Sequence, residues 1–310
     1  MSTLRSAAEE YLQVRRALGF KLRQQGRMLL QFVEFLEERG AAVITTELAL
    51  QWARQPADGS QMWWHQRLAL VRGFAQHLAA VDPRTEVPSS DLLPARPHRA
   101  IPYLYSDAEI ARLIGAARAL TPPLKAATYA TLIGLLSVTG MRVGEAIGLD
   151  CDDVDLDGGW LHIRRAKNDH HREVPLDEST VQALDAYARL RDQLCPRPLT
   201  ESFLVTITGR RPHPSTVGGL FGKLRRATGL SERRSPSGRL PRMHDMRHAL
   251  MLRTLLRWYR EGAEVEAQLP LLSTFVGHVD PKSSYWYFEG APELLALAAE
   301  RLEQTWGELS

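Results

Sequence analysis

Four separated clusters in the sequence carry side chains that could act on a charged substrate. The first is Thr139-Gly-Met-Arg-Val-Gly-Glu145, in which Arg142 and Glu145 are three residues apart. Positions i and i+3 share one face of a helix, so the carboxylate can hold the guanidinium, whose planar fork suits a phosphate. A structural ion pair would have the same pattern. The cluster therefore indicates an anion clamp or a buried salt bridge.

The next two clusters carry groups that can transfer protons. Lys167 lies near the tip of a predicted hairpin, where a lysine is usually just solvated but can also donate a proton. In His244-Asp-Met-Arg-His248, helical spacing projects His244, Arg247 and His248 to one side. Two histidines at i and i+4 also occur in zinc sites. The metalloprotease form of this motif has a glutamate directly after the first histidine, where this chain has Asp245. Arg247 would also bring a positive charge beside the metal, so we predict no metal.

The fourth cluster is Gly277-His278 followed nine residues later by Tyr287. This tyrosine ends the aromatic trio Tyr285-Trp286-Tyr287, and aromatic residues at such spacing are more often core than catalytic. Each cluster alone has an ordinary structural explanation. Their order along the chain is what makes them informative.

Two domains are expected to position these clusters. Residues 1–82 show four short amphipathic helical patterns, and prolines interrupt the pattern over residues 83–103, which we interpret as a linker. Residues 104–310 form the second domain, which begins at a capping box of Ser106 and Glu109. The apolar run 126–141 is shorter than a membrane span and predicts a buried core helix. Alternating residues predict a β-hairpin of strands 160–165 and 172–176.

Composition indicates a globular protein with a charged surface. The 310 residues are 44% hydrophobic and 24% charged, and two cysteines fit a reducing cytosol. The N-terminus has no apolar segment of the kind a secretory signal needs, so we expect a cytoplasmic protein. The net charge is only +3, but residues 209–260 contain 13 Lys/Arg and two acids, while residues 261–310 contain nine acids and two bases. Such a basic block is typical of a polyanion-binding surface.

The order Arg…Lys…His-x-x-Arg…His…Tyr resembles the tyrosine recombinase (phage integrase) family. The match runs from Tyr105 to Tyr287 and includes the hairpin return Arg172-Glu-Val-Pro-Leu176. The resemblance implies a mainly α fold with a small β-sheet (α+β), in which an N-terminal helical, SAM-like core-binding domain and a catalytic domain form a C-shaped clamp on DNA. The ending Tyr-Trp-Tyr resembles the recombinase-in-trio and Tn554-like transposase groups of mobile elements.

The resemblance also implies a role for each motif residue. Tyr287 would attack a backbone phosphate, leaving a 3′-phosphotyrosyl DNA and a free 5′-hydroxyl, and Tyr285 is a rival that the spacing from His278 disfavours. Arg142, Arg247 and His278 would bind the non-bridging oxygens of that phosphate. Lys167 would protonate the leaving 5′-oxygen, and His244 would accept the proton of the tyrosine. Glu145 would orient Arg142. Glycines often flank the hairpin lysine in the family, whereas here the neighbours are Ala166 and Asn168.

The implied activity is site-specific DNA recombination, integration or transposition without cofactor, metal or ATP. The expected partner is double-stranded DNA, bound by a homo- or hetero-tetramer with related recombinases, so the protein would be nucleoid-associated when bound. Candidate DNA contacts in the basic block are Arg210, Arg211, Lys223, Arg225, Arg226, Arg233 and Arg234. An amphipathic helix at 293–306 would dock on a neighbouring protomer or on its own domain. The alternatives are a type IB topoisomerase-like nicking-closing enzyme and a non-cleaving DNA-binding accessory protein of the same fold.

Overall fold

The computed structural model describes residues 4–55, 57–95, 101–164, 171–277 and 296. The chain divides into two compact units, Met1–Arg99 and Ala100–Ser310, and this boundary falls within the proline-rich segment. Throughout these described ranges, no helix combines the length and apolarity that a membrane crossing requires.

Four helices form the described part of the first unit: α1 (Leu4–Ala17), α2 (Arg23–Glu37), α3 (Thr46–Ala53) and α4 (Gln61–Ala79). The side chains of Thr45 and Ser60 accept backbone N–H groups at the starts of α3 and α4, which satisfies donors that have no partner inside the helix. Phe32, Trp52 and Phe74 are fully buried between the helices, and the rings of Phe32 and Trp52 lie 5.1 Å apart. Apolar packing therefore holds this bundle together.

The chain that follows α4 is tied to the first unit. The backbone N–H of Glu86 donates to the Ile44 carbonyl at 2.9 Å, and its carboxylate accepts from the Thr46 N–H at 2.8 Å. Leu93 is buried in the core of this unit. Part of the proline-rich segment therefore belongs to the first unit.

The described part of the second unit is mainly helical: α5 (Asp107–Arg118), α6 (Pro123–Thr139), α7 (Val143–Ala146), α8 (Glu178–Leu194), α9 (Pro214–Ala227), α10 (Asp245–Arg260) and α11 (Val265–Val276). The strands β1 (Val154–Asp155), β2 (Trp160–Ile163) and β3 (Arg172–Pro175) form an antiparallel sheet in the order β1-β2-β3. The predicted fold class, mainly helical with a small sheet, is confirmed.

Helix α6 is the centre of the second unit. It packs against α5, α8 and α10, and Leu132, Ile133 and Leu136 on it are almost inaccessible to solvent. A helix that is apolar all round must be surrounded by other elements, so the prediction of a buried core helix here is confirmed. The capping box predicted for α5 is also present: Ser106 accepts from the Glu109 N–H at 3.2 Å, and Glu109 accepts from the Ser106 N–H at 3.0 Å.

Candidate active site

The end of α6 brings three elements of the second unit together. Gly140 ends the helix with a φ of 60°, in the left-handed region. A Cβ atom at this position would lie 2.9 Å from Leu250 on α10 and 3.2 Å from Val276 on α11. Both the turn and the close packing therefore require glycine. The chain then turns into α7, and Arg142 is the residue that precedes its first turn.

Glu145 is the acceptor at the centre of the site. Its side chain is only 3% exposed. One carboxylate oxygen, Oε1, accepts from Arg142 Nη1 at 2.7 Å. The other, Oε2, accepts from the Arg142 backbone N–H at 2.9 Å and from Arg172 Nη2 at 2.7 Å. The pairing of Arg142 with Glu145 that the i, i+3 spacing predicted is therefore present, and a second arginine joins it.

The protonation state of Glu145 follows from these contacts. Burial by itself raises the pKa of a carboxyl group, but the hydrogen bonds and charges of Arg172 and Arg142 outweigh burial and lower the pKa of Glu145 below its ordinary value. The group is thus a carboxylate at neutral pH. It can orient arginines but has no proton to give.

Arg247 is fixed from the first turn of α10. It is 2% exposed, and its Nη1 donates to the Gly140 carbonyl at 3.0 Å and to the Val276 carbonyl. Asp245 at the start of α10 is also buried and accepts from the Arg242 backbone N–H at 2.9 Å and from Arg242 Nη2 at 3.0 Å. Asp245 therefore anchors the helix start, and its carboxylate is bound by an arginine.

His244 lies beside these arginines at the start of α10. Its ring meets the ring of His248 edge to face, with 5.1 Å between the centroids. His244 is exposed to solvent, although its imidazole lies close enough to the protein to be partly desolvated. This partial desolvation, followed by the positive charge of Arg247, lowers the pKa of His244 below its ordinary value. A neutral imidazole at pH 7 is able to accept a proton.

Three arginines converge on the carboxyl end of α11. Arg172 Nε donates to the Phe275 carbonyl at 3.1 Å, Arg247 donates to the Val276 carbonyl, and Arg142 Nη2 donates to the Gly277 carbonyl at 3.0 Å. The last carbonyls of a helix lack partners within it and carry the negative end of its dipole, so cations are stabilised there. The residue that follows Gly277 in the chain is His278.

Arg172 was not predicted to take part in this site. Its side chain is 8% exposed, and it joins β3 to Glu145 and to α11. In the sequence it is recognisable only as the first residue of the hairpin return. No local pattern identifies its partners, because Phe275 is 103 residues away.

The remaining predicted catalytic residues, Lys167, His278 and Tyr287, lie outside the described residues, as do Tyr285 and all of the predicted helix 293–306 except position 296. Strands β2 and β3, which flank Lys167 in sequence, are described, and Leu161 pairs with Val174 between them. The structure thus brings Arg142 and Arg247 together at the end of α11, with Glu145 bound to Arg142 and His244 near enough for the charges of both arginines to act on it.

The seven cations predicted to contact DNA fall into two groups. Arg211 donates to the Ile147 carbonyl at 2.7 Å and is paired with Asp150. Arg225 is partly buried and donates to the Pro241 carbonyl at 3.0 Å. These two therefore hold loops of the protein together. The exposed group comprises Arg210, Lys223, Arg226, Arg233 and Arg234.

Across the described ranges, no cluster of three or more histidine, cysteine, aspartate or glutamate side chains has the arrangement of a metal site. Near His244 and His248 the carboxylate of Asp245 is bound by Arg242, and Arg247 adds positive charge. Neither feature favours a cation at this point.

Comparison with known proteins identifies the family. The model of the phage integrase family matches residues 104–292, more than half of the chain. The chain belongs to the phage integrase family. The motif residues Arg142, Glu145, His244 and Arg247 all lie within the match. The family resemblance drawn from the order of the motifs is confirmed.

Individual relatives extend this likeness to nearly the whole chain. The protein named "Putative integrase/recombinase y4rB" of Sinorhizobium fredii is 45% identical over 99% of both chains. The similarly named y4rE of the same strain is 34% identical over 94% of both. Among solved structures, the Tn1549 transposon integrase in complex with transposon right end DNA has a TM-score of 0.66 and covers 98% of this chain and 99% of that one. Its sequence identity is 16%, so it shows the shared fold.

Proposed function

We propose that this recombinase cuts and rejoins double-stranded DNA at specific sites through a covalent 3′-phosphotyrosyl intermediate. The observation that carries the proposal is the convergence of Arg142 and Arg247 on the last carbonyls of α11, one residue before His278, with His244 near enough for both charges to act on its ring. Family membership supports DNA strand transfer as the reaction, and the site supplies fixed positive charge and a proton acceptor for it.

The arginines would stabilise the charge that builds on the phosphate in the transition state. Arg142 is held by Glu145 yet keeps 29% of its side chain exposed, so a non-bridging oxygen can reach its guanidinium. Arg247 is anchored by backbone carbonyls and cannot reorient freely. Donors that are fixed before the reaction lower the barrier without a reorganisation cost, and losing one costs about 10²–10³-fold in rate.

In the cleavage step one bond to phosphorus forms, one breaks, and two protons are transferred. The Oη atom of Tyr287 forms a bond to phosphorus as the bond from phosphorus to the 5′-oxygen breaks. His244 takes the tyrosine proton, and Lys167 gives a proton to the departing 5′-oxygen. His278 would join the arginines on the non-bridging oxygens. Rejoining is the reverse reaction, in which a 5′-hydroxyl attacks the phosphotyrosine, so the step needs neither ATP nor a metal ion.

DNA binding would use the exposed cations Arg210, Lys223, Arg226, Arg233 and Arg234. Arg234 donates to the Ser231 and Arg233 carbonyls of its own loop, so it would exchange these local bonds for a phosphate contact. Arg211 and Arg225 are better explained as structural, because each binds backbone carbonyls of the second unit. Recombination between two duplexes needs four strand cuts, so we expect four protomers on the DNA. The names of its relatives support recombination or integration as its role.

A suicide-substrate assay tests this function. Duplexes are selected from a random-sequence pool by their binding to the protein, nicked near the mapped site, and incubated with the protein in EDTA. We expect a protein band that carries DNA and migrates more slowly on a denaturing gel. Arg247→Ala should abolish it, whereas Arg189→Ala, which removes an exposed ion pair with Asp185 on α8, should not. Tight, salt-sensitive binding without an adduct would contradict the proposed activity and favour the accessory-protein alternative.

A further inference from the structure

Arg172 connects three parts of the second unit through one guanidinium. It lies on β3, the strand that returns from the segment containing Lys167. Its Nη2 donates to Glu145 Oε2 at 2.7 Å and its Nε donates to the Phe275 carbonyl at 3.1 Å. The side chain is 8% exposed, so these contacts are made away from bulk water, where charge-assisted hydrogen bonds are strong.

The position of this guanidinium depends on Gly277. A Cβ atom at residue 277 would lie 2.5 Å from Arg172 Nη1 and 2.6 Å from its Cζ, far inside van der Waals contact. Gly277 also has a φ of +79°, which a residue with a side chain adopts only with strain. Two independent features therefore favour glycine immediately before His278. The guanidinium of Arg172 rests against the backbone that leads to a proposed catalytic residue.

We propose that Arg172 is a positioning residue for strand cleavage and acts through Arg142. This inference rests on the proposed function. Glu145 Oε2 is shared between Arg172 Nη2 and the backbone N–H of Arg142, while Oε1 holds Arg142 Nη1. Without Arg172 the carboxylate loses a partner that fixes its rotation, and Arg142 loses the fixed acceptor that aims its guanidinium.

Arg172 does not itself face the substrate in this arrangement. Its Nε donates to the Phe275 carbonyl and its Nη2 donates to Glu145, while Nη1 lies against the backbone at Gly277. Its effect on the phosphate must therefore pass through a neighbour. Arg142 is this neighbour, because it shares the carboxylate of Glu145 with Arg172. Arg172 also contacts the end of α11, so it helps to hold the backbone that precedes His278.

The test measures single-turnover cleavage by Arg172→Gln and Arg172→Lys on three versions of the scissile linkage. The first is the normal phosphodiester. The second is a methylphosphonate, which lacks the negative non-bridging oxygen and so has less need of Arg142. The third has sulfur in place of the bridging 5′-oxygen, and this thiolate leaves without a proton because its pKa is far below that of an alcohol. Arg189→Gln, which removes an exposed arginine that pairs with the exposed Asp185 on α8, is the control.

We expect Arg172→Gln to slow cleavage of the phosphodiester by about 10- to 100-fold, the range in which small misplacements of catalytic groups act. Its rate on the methylphosphonate should approach the wild-type rate on that substrate, and bridging sulfur should not restore it. Arg172→Lys keeps the charge but not the fork and should show a smaller defect with the same substrate pattern. Arg189→Gln should behave as wild type on all three.

Comparing substrates on one protein preparation separates positioning from loss of folded protein. A wild-type rate for Arg172→Gln on the phosphodiester, or equal slowing on all three substrates, would overturn the inference. Rescue by bridging sulfur alone would also overturn it, because the defect would then lie in the leaving-group proton. If Arg172→Gln does not fold, Arg172→Lys carries the same comparison, because it keeps the charge and removes only the planar guanidinium. Failure of the wild-type protein to form any adduct would instead refute the proposed function.

Discussion

Replacing Glu145 by glutamine should destabilise the second unit strongly. Glu145 is 3% exposed and accepts hydrogen bonds from Arg142 and Arg172, whose side chains are 29% and 8% exposed. Removing one partner of a buried charge pair costs about 3–5 kcal/mol, because the remaining charge stays buried without compensation. Arg142 keeps some solvent contact and Arg172 keeps the Phe275 carbonyl, so we expect the lower end, about 3 kcal/mol.

Hydrogen exchange followed by mass spectrometry at increasing urea concentrations can measure this loss. Peptides from α6 and α11 report on the second unit separately from the first, which avoids treating a two-unit chain as one transition. The matched control is Glu173→Gln on β3, whose carboxylate is 65% exposed and lies 3.3 Å from His162. An exposed pair of this kind contributes about 1 kcal/mol or less.

The pH dependence gives a second check with a defined sign. The pKa of Glu145 is lowered in the folded protein, so its contribution to stability is fully present above the ordinary carboxyl pKa and is lost as the pH falls through the lowered value. The stability difference between wild type and Glu145→Gln should thus be constant from neutral pH to about pH 5 and shrink below it. A loss under about 1 kcal/mol, or a difference that is unchanged down to pH 3, would refute the reasoning.

Three further predictions concern other parts of the second unit. Because the pKa of His244 is lowered, the acid limb of the cleavage rate should have its midpoint below about pH 6.5, and a midpoint above this value in single-turnover pH profiles would contradict its role as proton acceptor. Gly140→Ala should cost about 2 kcal/mol or more in urea denaturation, against about 1 kcal/mol for Gly262→Ala, since both have positive φ but only Gly140 is crowded. Lys223→Ala and Arg226→Ala should each reduce the slope of log binding constant against log salt by about 0.9, and an unchanged slope in fluorescence anisotropy would exclude that residue from the phosphate contacts.

Local signals in the sequence predicted the main elements well. The apolar run ending at Gly140, the capping box at Ser106 and the alternation around Leu161 all depend on neighbours within a few residues, and each element is present. Strand β1 is not predicted from the sequence, because two residues are too few to show alternation. The end of α1 is equally hard to predict: Leu18 lies just beyond it and is 68% exposed, and nothing in the apolar spacing marks this leucine as outside the helix.

The sequence predicted one contact of the site and missed the others for a physical reason. The pairing of Arg142 with Glu145 spans three residues, and helical geometry alone suggests it. The bond from Arg247 to the Gly140 carbonyl spans 107 residues, and that from Arg172 to Phe275 spans 103. Such contacts depend on how α6, α10 and α11 pack. The same limit applies to Arg211, whose basic character suggested DNA although its partners are protein carbonyls.

The most direct test of the central claim is to identify the residue that carries the DNA. The covalent adduct from the suicide substrate is digested with protease and nuclease, and the peptide with a residual nucleotide is sequenced by mass spectrometry. The account predicts a nucleotide attached through a 3′-phosphate to Tyr287, with no adduct from Tyr287→Phe and a normal adduct from Tyr285→Phe. A nucleotide on Tyr285, or on a residue that is not a tyrosine, would contradict it.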